Sequence, residues 1–149
     1  MESVRRGAGA ALRYLTPLYA LAVLLQFFFA GSGIFGLDEG ESVAEEGNAL
    51  DLHRDFGWII SNPVALLILL IALLWWPRRK RMLGLYFLLF VLMIVQSFLP
   101  EAGQWVAALH PVNAVVLLAL LGYLSYWFWR GGYDTMDRDT TRVAAPPAP

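Results

Sequence analysis

The chain contains no cysteine. That excludes disulfides, thiolate metal sites, iron–sulfur clusters, CXXC redox chemistry and covalently attached c-type haem. Histidine is nearly as scarce, so any imidazole chemistry must use His53, His110 or both. Charged residues make up 15% of the chain against 58% apolar, too little charge to cover a water-soluble domain of this size. The net charge of -1 is uninformative as a total, because the charges are sorted along the chain. No basic stripe with interleaved aromatics points to nucleic acid. There is no Ser-His-Asp set, no phosphate-binding loop and no carboxylate within an apolar run. A proton relay through acids is therefore not expected. A length of 149 residues suits one compact unit.

What the chain has in quantity is long apolar sequence. A helix that spans a bilayer needs about 20 mostly apolar residues. Four uncharged stretches meet that need: Tyr14–Leu37, Phe56–Pro77, Met82–Pro100 and Ala102–Trp129. The spans are expected at about 14–35, 56–76, 82–99 and 105–129. In lipid the backbone must satisfy its own hydrogen bonds, which predicts helices. Pro17 and Pro63 fall inside spans and are expected to kink them. The first stretch is long for a signal-peptide core and lacks a small-x-small cleavage site, which predicts an uncleaved span.

Ten of the eleven cations sort to one side of such a bundle. Arg5, Arg6 and Arg13 precede the first span, Arg78, Arg79, Lys80 and Arg81 join the second to the third, and Arg130, Arg138 and Arg142 follow the fourth. The positive-inside rule places that side in the cytoplasm of a prokaryotic plasma membrane, with both termini there. Residues 1–13 then form a cytoplasmic N-terminus and 14–130 the transmembrane domain. Residues 131–149, ending in a Pro- and Ala-rich run, are expected to be a disordered cytoplasmic tail. Trp75, Trp76, Trp127 and Trp129 fall at the inner interface, where indole rings favour sitting. The acidic first outer loop, about Gly36 to Leu50, is expected to be mobile. Its acid spacing matches no defined calcium loop.

A hairpin pattern occurs twice. Gln26 lies near the outer end of the first helix, and Leu52-His53 opens the second. Gln96 lies near the outer end of the third, and Leu109-His110 opens the fourth. A small residue, Gly57 or Ala114, follows each histidine by four positions. Two such hairpins make a parallel repeat about an axis along the membrane normal.

Polar groups inside a span are costly, so they suggest function. His53 and His110 share a depth and stand on diagonal helices, roughly 14 Å apart if neighbours lie about 10 Å apart. A porphyrin could enter edge-on between them, with one imidazole on each face of the iron. Gly57 and Ala114, one turn deeper on the same faces, would leave room for it. Arg54 at the water boundary could meet a propionate. Gln26 and Gln96 could orient the imidazoles, touch a propionate or bind a quinone oxygen, and Asn113 stands with them. The plain alternative is equally physical. Interfacial histidines anchor and cap helices, Pro111 fits a helix start, and amides and glycines in spans commonly serve helix packing.

The runs Leu-Leu-Gln-Phe-Phe-Phe-Ala-Gly at 24–31, Leu-His-Arg-Asp-Phe-Gly at 52–57 and Ala-Ala-Leu-His-Pro-Val-Asn-Ala at 107–114 resemble a family of short prokaryotic four-span proteins classed as a domain of unknown function. That resemblance implies the fold and the topology and supplies no activity. More distantly, the hairpins are similar to one half of haem A synthase, which carries paired haem-ligand histidines on the second and fourth helices of each bundle. His53, followed by Arg54, and His110 match in kind. The chain departs from that enzyme in having a single bundle, and in having Leu50 three residues before His53 where the enzyme has a glutamate. The resemblance thus implies haem binding more than haem oxidation.

The sequence therefore predicts an all-α, antiparallel four-helix transmembrane bundle of two repeated hairpins. Its leading function is a b-type haem protein for electron transfer or haem handling, with His53 and His110 as axial ligands to the iron. Enzyme activity is left open. The alternatives are a cofactor-free accessory subunit packing on another membrane protein, or a binder of quinone or another hydrophobic molecule through Gln26, Gln96 and Asn113.

Overall fold

The computed structural model describes residues 2–36, 49–75 and 80–132. Trp76, most of the acidic loop and nearly all of the C-terminal tail lie outside these residues. Four helices are long and apolar enough to cross a membrane: α1 Glu2–Phe35, α2 Asp51–Trp75, α3 Lys80–Glu101 and α4 Gln104–Gly131. Within the most apolar window of each, only 17–33% of residues are buried against the rest of the protein. The remaining leucines, phenylalanines and valines form an exposed apolar belt, far more than a water-facing surface carries. The chain is a multi-pass membrane protein.

α1 packs on α2 and α4, and α3 packs on the same two helices. Each helix therefore lies between its sequence neighbours and α4 closes the ring against α1, so α2 and α4 are diagonal partners, as are α1 and α3. Burial along α1 falls at Ala8, Leu12, Thr16, Tyr19, Val23 and Gln26, a three-four rhythm that keeps one face inward. α3 does the same with Met82, Tyr86, Leu89 and Met93, and α4 with Ala114, Leu117, Leu121 and Leu124.

The first helix is longer than its span. It starts at Glu2, so the segment expected as a separate N-terminus is a helical extension, with Arg5 and Arg6 exposed on it. Pro17 is accommodated without a break in α1. Pro63 acts differently. Lacking an N–H and crowding the preceding turn, it widens α2 into a π turn over Ile60–Val64. The Ile60 carbonyl accepts from the Tyr19 hydroxyl at 2.6 Å, which ties this turn to α1. Across the α1–α3 diagonal, the Thr16 and Tyr86 hydroxyls hydrogen-bond at 2.7 Å inside the core.

At the arginine-rich end Trp75 is buried rather than a surface anchor. Its ring packs on Phe128 at 5.2 Å and on Trp127 at 6.0 Å. Trp129 lies at the surface, with the Arg13 guanidinium 4.4 Å above its ring. At the opposite end Gly33 meets the backbone of Ala49, where no Cβ could fit. That close approach brings the start of α2 against α1. α4 opens with one turn, Gln104–Ala107, then runs regularly from Leu109. Pro111 stands in the first turn of this regular helix, where its missing N–H costs nothing.

Candidate functional site

Toward the end of the bundle that holds both histidines the inward stripes turn polar, and the core opens. A cavity of about 570 Å³ is lined by residues of all four helices, within the range that holds a cofactor or drug-sized molecule. Gln26, His53, Arg54, Gly57, Gln96, His110 and Ala114 all line it. Of the residues singled out from sequence, Asn113 alone stands behind the wall, against Gln96. The walls also include Trp58, Ser61 and Met93. Sequence reasoning did not single these out. Ser61 had a signal: it lies eight positions after His53 and four after Gly57, on one helical stripe.

Both imidazoles are half-buried, and their ring centroids stand 6.1 Å apart with planes at 74°. The diagonal separation of the helices is thus bridged from both sides by the rings. His53 Nδ1 lies 3.1 Å from the Gln26 carbonyl oxygen, and His110 Nδ1 lies 3.1 Å from the Gln96 carbonyl oxygen. A carbonyl can only accept, so Nδ1–H donates in both rings and Nε2 carries the lone pair. The same tautomer is set by the same contact in each copy of the repeat, which is the local content of the duplicated Gln and Leu-His elements.

The two copies differ in their glutamine side chains. The Asn113 amide nitrogen donates to the Leu92 carbonyl at 3.0 Å, which fixes the amide's orientation. It also donates to Gln96 Oε1 at 2.6 Å. Gln96 Nε2 must then face α4, where it donates to His110 Nε2 and to the His110 carbonyl, both at 3.1 Å. In the first copy Phe56 holds the position of Asn113. The Gln26 amide, in a residue only 9% exposed, has no hydrogen-bond partner among the described residues for either Nε2 or Oε1. It lies against Gly57, where a Cβ would come within 2.9 Å of Gln26 Nε2.

At the rim Arg54 pairs with Asp51, both exposed. Asn62 reaches across from the π turn to Ser97 Oγ at 3.2 Å. Among the described residues no group of three or more histidines or acids could hold a metal ion.

The model of a family of unknown function (DUF6220) matches residues 26–103, slightly more than half of the chain. The match takes in Gln26, His53 and Gln96 and ends before His110. No curated protein and no solved structure matches. The likeness to half of haem A synthase therefore stands on the residues quoted for it alone.

Proposed function

The chain belongs to the DUF6220 family of unknown function, and we propose that it is a b-type haem protein of a prokaryotic plasma membrane, with His53 and His110 as the two axial ligands. The observation that carries this reading is the matched pair of rings. Each is pinned through Nδ1–H to a backbone carbonyl, and the centroids lie 6.1 Å apart. Two imidazoles on one metal, with metal–nitrogen bonds of about 2 Å, put their centroids ~6 Å apart. A histidine ligand ordinarily has its other ring nitrogen held in this manner, which sets the tautomer and makes the free nitrogen more basic.

The donor set fits the group. Gly57 and Ala114 keep the faces of α2 and α4 low beside the histidines, and the Arg54 guanidinium at the rim offers a counter-charge to a carboxylate. Gln96 would give up its contact with His110 Nε2 and keep the one with the His110 carbonyl. A bound haem supplies one-electron chemistry, and ligation by two histidines leaves no open position on the iron, which favours electron transfer or haem handling over oxygen chemistry. In this reading the arginine-rich end faces the cytoplasm, as the positive-inside rule requires, and the histidine end faces outward.

The test is the absorption spectrum of protein purified from haem-supplemented cells, reduced minus oxidised, beside His53→Ala and His110→Ala. The expected result is a b-type signal in the native protein that both substitutions abolish. A featureless spectrum from a well-folded protein would reject the reading and favour a cofactor-free accessory subunit.

A further inference from the structure

The two histidines are alike at Nδ1 and unlike at Nε2. His110 Nε2 already accepts a hydrogen bond, from the Gln96 amide at 3.1 Å. That amide is held at its other end by Asn113, which donates to Gln96 Oε1 at 2.6 Å. Gln96 Nε2 also donates to the His110 carbonyl at 3.1 Å. Its orientation is therefore fixed, with one hydrogen aimed at the ring lone pair that a metal would use. The first copy lacks this arrangement. The Gln26 amide lies against Gly57, without a hydrogen-bond partner among the described residues. Among those residues the His53 ring is hydrogen-bonded through Nδ1 alone, to the Gln26 carbonyl, which leaves its Nε2 lone pair unengaged. Both rings line the same cavity. One of them is ready to bond there and the other is capped.

We infer that Gln96 is a positioning residue that latches His110, so that His53 is the first ligand to engage and His110 the second. The inference rests on the haem reading for the group bound, and deepens it by ordering the two ligands. His53 can bond through Nε2 as it stands. His110 can do so only after the Gln96 amide withdraws one hydrogen, while its second hydrogen stays on the His110 carbonyl. The latch is weak enough to open, since one neutral hydrogen bond is worth a factor of about 2 to 10 in an equilibrium. While closed, it holds the His110 ring at both nitrogens, so the second ligand waits already oriented.

The full chain in detergent, without haem, is treated at neutral pH with diethyl pyrocarbonate, which acylates an imidazole nitrogen whose lone pair is free. Each histidine is followed by peptide mass spectrometry. His53 should react several-fold faster than His110. Gln96→Leu should speed His110 by about 2-fold to 10-fold and leave His53 within about twofold. Asn113→Leu frees the amide to turn and should speed His110 in the same direction, and it carries the test should Gln96→Leu fail to fold. Haemin is then mixed with the same proteins and the Soret band followed in time. Two phases are expected, the first proportional to haemin concentration, the second independent of it and ending low-spin. Gln96→Leu should speed the second phase alone. Equal reaction of the two histidines in the native protein would overturn the inference, as would a His110 rate that neither substitution changes. So would a second phase indifferent to Gln96, which retains the haem reading and loses the latch. Gln96-dependent protection of His110 in a protein that takes up no haemin does the reverse.

Discussion

The Asn113 amide reaches two acceptors, the Leu92 carbonyl and Gln96 Oε1. Its effect on the cavity is indirect, because it decides which end of Gln96 meets His110. Replacing Asn113 by Leu leaves Gln96 Oε1 unpaired and frees the amide to flip. Hydrogen bonds between membrane helices average well under 2 kcal/mol, so Asn113→Leu should destabilise the protein by about 1 kcal/mol in thermal unfolding in detergent. In a Gln96→Leu background the same change should cost clearly less, since the two side chains act as a unit. If haem is bound, Asn113→Leu should also shift the low-temperature electron-resonance g-values, a readout that a purely packing role would leave alone. Much of this was legible in the sequence: the two Leu-His elements and the two glutamines mark the cavity wall. The direction in which each glutamine turns was not. It depends on whether the third position after the histidine offers a partner, which Asn113 does in the second copy and Phe56 does not in the first.

Among the elements, α2 departs furthest from a regular rod. Proline in a span predicts a kink, and Pro63 instead produces a widened turn whose Ile60 carbonyl accepts from both the Ala65 N–H and the Tyr19 hydroxyl. Pro17 produces no such opening in α1, so residue identity alone did not fix the outcome. The difference lies in what the neighbouring helix supplies, here a tyrosine hydroxyl. Tyr19→Phe should therefore destabilise the fold by about 1 kcal/mol. Pro63→Ala should let α2 close to a regular helix, which gives Ile60 an ordinary partner and makes the tyrosine hydroxyl dispensable. A double-mutant cycle in chemical or thermal unfolding checks this, with additive effects as the contrary result. The helices run beyond the uncharged stretches, most of all at the start of α1. There the uncharged stretch begins at Tyr14 but the helix continues back to Glu2, because leaving the membrane does not end a helix of alanine, arginine and glycine unless a stop signal intervenes.

For the whole molecule, orientation is open to direct measurement, because a chain without cysteine accepts single reporters cleanly. Ser42→Cys, in the acidic loop, should react with a membrane-impermeant maleimide in intact cells, and Ser3→Cys only after permeabilisation. The reverse pattern would invert the proposed topology. The four-span ring was legible from sequence because length and polarity in a bilayer leave few alternatives. The size of the cavity was not, since it is a volume left over when side chains from four helices fail to meet. Below it, Leu12, Tyr86, Leu121 and Leu124 are almost wholly buried, and Trp75 packs with Phe128 under them. Among the described residues the histidine end is open and the arginine-rich end is filled, so the bundle they form has the shape of a cup. A cup holds and releases rather than conducts: the filled end formed by the described residues closes the route, and a guest leaves by the side from which it came. Vesicles loaded with this protein should therefore keep an imposed potassium diffusion potential as long as empty ones do.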